Sequence, residues 1–237
     1  MQAKLVTRED HGALSVLTLN RPDKRNALSP ALLEDLRCHV DALAEASDDT
    51  RVIVIRGAGP SFCGGADLTA LHEGIVTADP EFRSKTIEKI GNLPQTVIAA
   101  VHGHCITGGL ELALAADFII ASENAVFRDT HAALGIVPRW GMSARLPRRV
   151  GLTRARWLSA TGVAVTARQA FEMGLCELVT NDADHFSATL EIAQRIAASA
   201  TSSITAIDHL YAAALTMPMP EALEYERGFT PPGGSRA

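Results

Sequence analysis

The chain has 237 residues, 47% of them hydrophobic, and a formal net charge of −5. That length and apolar content suit one domain, with room for a small appendage, whose core needs no disulfide or metal. The acidic balance excludes broad attraction to nucleic acid or anionic lipid, so an anionic ligand requires a local basic cluster. In chain order, residues 13–19 (ALSVLTL) predict a strand after a hairpin turn near His11 and Gly12. NRPDKRNALSP follows as a basic loop. Ser29 can N-cap a helix with Pro30 at its first position, and Leu32, Leu33, Leu36, Val40 and Leu43 then recur at helical spacing. RVIVIRG (51–57) predicts a buried strand, followed by the glycine loop GAGPSFCGGADL.

Residues 80–92 predict a helix with Phe82, Ile87 and Ile90 on one side. TVIAAV (96–101) is the next buried strand. A second glycine loop leads into a helix holding Glu111, and a strand lies around Phe118 to Ala121. Strand, glycine loop and helix thus occur twice, at 51–71 and 96–116, an order that argues α/β with crossover connections. From about 138 the chain reads as mostly helical: PRWGMSARLPRRVG as a broken helix, TARQAFEMG and DADHFSATLEIAQRIAASA as helices, LCELV as a short strand, and TPPGGSRA as a disordered tail.

The cysteines (Cys38, Cys63, Cys105, Cys176) are widely spaced with no CxxC pair, which suits free thiols in a reducing compartment. The start, MQAKLVTRED, has no apolar signal-peptide core. TVIAAV and LELALAADFII are too short, or too interrupted by Glu111 and Asp117, to span a bilayer. These features predict a cytoplasmic protein with no membrane or nucleic-acid partner. His102 and His104 lack a second ligand pair at zinc spacing and fit polar residues leaving a strand, so no metal is expected.

Each glycine loop leaves free backbone N–H groups at a helix start, where the dipole also favours negative charge. One such loop is most simply a tight turn, and neither is GxGxxG or GxxxxGK[ST]. Two loops, ending GGAD and GGLE, suggest converging donors, that is, an oxyanion hole. Glu111 has two readings. An acid early in a helix is favoured by the dipole alone. Its neighbours Leu110, Leu112 and Leu114 also make an apolar setting that raises a carboxylate's pKa, as acid–base chemistry at a carbonyl compound requires.

Four segments together, LNRPDKRNALS, VIVIRGAGPSFCGGADL, VIAAVHGHCITGGLELALAADFIIAS and LGIVPRWGMSARLPRRVG, resemble the enoyl-CoA hydratase/isomerase family, the crotonase superfamily, over roughly residues 12–200. The resemblance implies an α/β spiral of ββα turns over residues 1–190, a helical C-terminal region at 191–230 and a tail at 231–237. It also implies homotrimers or dimers of trimers, and an acyl-CoA thioester as ligand with no separate cofactor. By the same resemblance the Ala66 and Gly108 amides bind the thioester oxygen. Lys24, Arg25 and Ala27 lie by the CoA adenine and phosphates, and Asp67 and Leu68 border the pantetheine channel. Phe62, Leu71, Ile75 and Trp140 are expected acyl-pocket walls.

Glu111 falls on the first of the family's two catalytic glutamates. The second normally ends an F-G-x-P-E segment twenty residues later, where this chain has His131 in Phe127-Arg128-Asp129-Thr130-His131. A histidine exchanges protons near neutral pH. His131 is therefore either the proton partner or a packing residue, with Asp129 a nearby alternative acid. Family members usually continue with one or two more helices after the segment resembling PEALEYER, helping to cover the acyl pocket and the trimer contact. Here GFTPPGGSRA stands in that place. The expected activity is hydration of a 2-trans-enoyl-CoA to a 3-hydroxyacyl-CoA. The alternatives are a Δ3,Δ2-enoyl-CoA isomerase using Glu111 alone, or a non-catalytic acyl-CoA-binding protein.

Overall fold

A hairpin opens the chain: β1 (Val6–His11) turns through Gly12 into antiparallel β2 (Leu14–Leu19). The computed structural model describes residues 4–46, 49–73 and 79–231, apart from the side chains of Leu71 and His72. The tail expected at 231–237 therefore lies almost wholly outside the described residues. After a 3-10 turn at Pro22–Lys24, the Ser29 hydroxyl accepts from the Leu32 amide and starts α1 (Pro30–Glu45), as its sequence signals require. There follow β3 (Val52–Gly57), α2 (Leu68–His72), α3 (Phe82–Ile90), β4 (Thr96–Val101), β5 (His104–Ile106), α4 (Gly108–Ala113), β6 (Phe118–Ser122) and β7 (Val126–Arg128). Then come α5 (Met142–Val150), α6 (Leu152–Thr161), β8 (Val165–Thr166), α7 (Ala167–Glu172), β9 (Leu178–Thr180), α8 (His185–Ala197), α9 (Thr201–Ala214) and α10 (Met219–Gly228). Residue 190, the expected limit of the core, lies inside α8.

The main sheet has the order β1-β2-β3-β4-β6-β9, parallel except for the first hairpin. Its register explains why the central strands read as unbroken apolar runs. Val16, Val54 and Ile98 are cross-strand neighbours on the face covered by Phe186 and Leu190 of α8. Leu17, Ile55, Ala99 and Ile119 align on the opposite face, in the cluster that holds Leu32, Leu33 and Leu36 of α1. A parallel strand covered on both faces has no polar side to show. Asp117, the acid ending the apolar stretch after Glu111, accepts a hydrogen bond from the Val97 amide at the start of β4. The α/β architecture expected from the repeated strand–loop–helix order is thus the one observed.

Two expectations need correction. The second glycine loop is not a plain loop: His104–Ile106 forms β5, in a separate sheet ordered β5-β7-β8. The broken helix expected across 138–151 is helical only from Met142, after Gly141 at φ 111°, and it accommodates Pro147 inside its span.

Candidate active site

The first glycine loop runs beside the second. Phe62 and Cys63 donate backbone N–H groups to the carbonyls of His102 and His104, and Ile106 donates to Cys63. This pairing carries Gly65 and Ala66 alongside Gly108. Gly65, at φ 100°, sits where a Cβ would lie 2.8 Å from the Ile106 carbonyl oxygen and 3.5 Å from the Gly108 nitrogen. At Gly108 a Cβ would lie 3.2 Å from the Ala66 nitrogen and 2.5 Å from Cζ3 of Trp140. Glycine is needed at both places because the two backbones and the indole already fill that space.

Leu28 donates to the Gly65 carbonyl and accepts from the Asp67 amide, so the intervening Ala66 amide faces away from Leu28. The Gly108 amide occupies the first position of α4, which no intrahelical bond uses. The structure therefore brings the two sequence-predicted donors within a few ångströms, each with its N–H uncommitted among the described residues.

The basic loop is largely a scaffold for this arrangement. Buried Asn26, at φ 54°, directs its side-chain amide to the carbonyls of Ala58, Ser61 and Phe62. Arg21 binds Asp67 and the Ala27 carbonyl, both at 2.9 Å. Asp67 also accepts from the amides of Thr69 and Ala70. Lys24 and Arg25 remain exposed. With Ala27, Ala66, Asp67 and Leu68 they line a cavity of about 510 Å³. Two residues that sequence reasoning missed, His104 and Arg128, line the same cavity. They belong to β5 and β7, strands too short to leave a periodic signal.

Glu111 stands on the first turn of α4, its amide donating to the Thr107 carbonyl. Thr107 holds a strained conformation, φ 48° and ψ −105°, fixed by its amide on the Arg128 carbonyl and by its hydroxyl, which accepts from the Thr130 amide and lies 2.5 Å from the Thr130 hydroxyl. These contacts tie the start of α4 to residues 128–130. The Glu111 carboxylate is buried, with Oε1 accepting from the amides of Trp140 at 2.8 Å and Met142 at 3.2 Å. Burial pushes its pKa up. The two amides and His131 oppose that rise, and the negative charge of Asp129 reinforces it.

The second oxygen, Oε2, lies 3.6 Å from Nε2 of His131. His131 is buried, and its Nδ1 lies 2.6 Å from Oδ1 of Asp129. His131 and Asp129 line a second cavity, of about 360 Å³, whose walls include Ile136, Val137, Met142 and Leu146. Residues 129–131 thus stand between a polar cavity and an apolar one, since Thr130 lines the first.

Of the expected acyl-pocket walls, Phe62 is fully buried in the main core and cannot serve. Trp140 is half-buried over Gly108. The Leu71 side chain and Ile75 lie outside the described residues. His102 and His104 each bond to the glycine loop, His102 through Nε2 and the Gly59 carbonyl at 2.8 Å, His104 through Nδ1 and the Ser61 hydroxyl at 3.3 Å. Among the described residues no helix is long and apolar enough to cross a membrane.

The fold thus sets two uncommitted backbone amides and a buried carboxylate near a cavity lined by Lys24, Arg25 and Arg128. A family model described as "Enoyl-CoA hydratase/isomerase" matches residues 9–231, and the chain belongs to that family. The chain is 36% identical to an enoyl-CoA isomerase/hydratase of Mycosarcoma maydis, over 80% of this chain and 73% of that one. It is also 36% identical to a carnitinyl-CoA dehydratase of Shigella flexneri, over 92% and 84%. Among solved structures, an enoyl-CoA hydratase from Bacillus anthracis superposes with a TM-score of 0.86 at 33% identity, covering 94% of this chain and 88% of that one.

Proposed function

We propose that the protein is an enoyl-CoA hydratase, adding water to a 2-trans-enoyl-CoA to give the 3-hydroxyacyl-CoA. The observation that carries the proposal is the 3.6 Å gap between Glu111 Oε2 and His131 Nε2, next to the uncommitted amides of Ala66 and Gly108. That gap is too long for a direct hydrogen bond, so both atoms have capacity for a third group. A water placed there can donate to Oε2, the one carboxylate oxygen not tied to backbone amides.

In this reading the thioester oxygen accepts from Ala66 and Gly108, whose amides stabilise the negative charge that develops on it; one such donor is worth about 2.7–4 kcal/mol. Glu111 takes a proton from water as the oxygen bonds to the β-carbon. His131 Nε2 takes that proton from Glu111 and passes it to the α-carbon, so both groups end as they began. The CoA phosphates lie with Lys24, Arg25 and Arg128, the acyl chain in the apolar cavity beyond His131. The large exposed apolar residues Trp157, Phe171 and Leu215 support assembly as a homotrimer or a dimer of trimers. The four free cysteines support a cytoplasmic setting.

Absorbance of the conjugated enoyl thioester tests the proposal. Loss of absorbance on adding protein to crotonyl-CoA supports hydration. A rise with a 3-enoyl-CoA and none of that loss makes the protein an isomerase working through Glu111. Constant absorbance with both leaves an acyl-CoA binder.

A further inference from the structure

Asp129 stands out as a buried carboxylate with no assigned role. Its side chain is 1% exposed. Oδ1 accepts from the backbone N–H of His131 at 3.1 Å and meets the ring Nδ1 at 2.6 Å. An ionised carboxylate can only accept, so Nδ1 carries the hydrogen in this contact. The contact between residues two apart arises because His131 turns into the helical region (φ −53°, ψ −52°) at the start of the 3-10 turn Ala132–Leu134. The turn folds the imidazole back over Asp129, and its other nitrogen is then aimed at Glu111. Charged groups from other elements face the Asp129–His131 pair. Glu111 stands on α4, Arg145 of α5 interacts with Glu111, and Arg156 of α6 lines the cavity beside Asp129.

We propose that Asp129 is the positioning residue of the site: it holds His131 as the Nδ1–H tautomer, so that Nε2 faces Glu111 Oε2 and these two atoms handle the exchangeable proton. The inference rests on the hydratase reading above and deepens it. Without Asp129, the ring can flip or take the opposite tautomer, which points a fixed N–H at Glu111 in place of an atom that both accepts and returns a proton. The dyad also balances charge. The Asp129 carboxylate, 2.6 Å from Nδ1, is a counter-charge in place for a proton taken up at Nε2.

The test uses the full-length protein with 15N-labelled histidine. Two-bond proton–nitrogen correlation spectra should place neutral His131 in the Nδ1–H tautomer. Asp129→Ala should release it to the mixture of a free imidazole. In kinetics, Asp129→Asn should lower kcat by on the order of 10²-fold or more, in the range for loss of a positioned acid–base group. KM should stay within about threefold. Asp129→Glu should recover part of the loss. A wild-type His131 in the Nε2–H tautomer overturns the proposal, and this readout stands even if the variants fail to fold. So does an Asp129→Asn enzyme with wild-type kcat. Failure of the hydratase reading is separate: it appears as absent turnover by the wild type, whatever tautomer His131 holds.

Discussion

Replacing Glu111 by glutamine removes the base and keeps the architecture. The carboxylate does two things through two different atoms: Oε1 accepts from the Trp140 and Met142 amides, while Oε2 faces His131. A glutamine carbonyl can take over the first task and has no basicity for the second. Glu111→Gln should therefore cost on the order of 10²–10⁴ in kcat for enoyl thioester hydration, with little change in thioester affinity. It should not lower stability at neutral pH. Burial raises the Glu111 pKa above its unfolded value, so ionisation opposes folding increasingly as pH rises through that window, and glutamine removes the cost. Glu111→Ala is the contrasting case. It strands two amides, one fully buried, at roughly 1–3 kcal/mol each. A loss of about 2 kcal/mol corresponds to a Tm drop of about 4–8 °C in a chain of this size. Initial rates by ultraviolet absorbance and melting by differential scanning calorimetry read the two effects separately. A Glu111→Gln enzyme within tenfold of wild type refutes the base assignment. Equal melting losses for Gln and Ala refute the division of labour between the two oxygens.

Replacing both Lys24 and Arg25 by alanine should weaken binding of CoA thioesters about tenfold or more and leave pantetheine thioesters nearly unaffected, by competition against a fluorescent acyl-CoA; equal losses for both would remove the phosphate role. Stability should fall as pH drops from about 6.5 to about 4, because burial depresses the His185 pKa from near 6.5 to about 4 and the unfolded chain then binds the extra proton. At 1.36 kcal/mol per pH unit the effect is at most about 3 kcal/mol. A His185→Asn protein should show a flatter Tm–pH curve over that range, and identical curves would assign the acid sensitivity elsewhere.

The main sheet was legible in the sequence because its central strands are buried on both faces, which compresses them into apolar runs such as VIVI and TVIAAV. The α1 start was legible from Ser29 and Pro30, a capping pair with a local mechanism. Glu111 was visible as an acid out of place among leucines. What stayed hidden depends on contacts distant in sequence or on very short elements. β5, β7 and β8 span three, three and two residues, below any periodic signal, so His104 and Arg128 gave no hint of sharing a cavity with Lys24. Arg21 looked like part of a basic patch, and its pairing with Asp67, 46 residues away, could not be read from its own neighbours. Phe62 was expected as a pocket wall, yet its loop runs through the core beside β5. Asp129 and His131 were both noted, but the residues of that segment alone offered no reason for Oδ1 to meet Nδ1; the turn at His131 does.

The indole packed on Gly108 gives the protein a built-in optical probe. The chain has two tryptophans. Trp157 is half exposed on α6, whereas Trp140 lies against one of the two proposed oxyanion donors. Trp157→Phe would leave a single emitter at the place where a thioester oxygen would seat. Stopped-flow records of that variant could then follow two signals from one mixing event: the indole emission for arrival of the ligand and the ultraviolet band of the enoyl group for its consumption. The delay between the two traces would separate filling of the site from proton transfer.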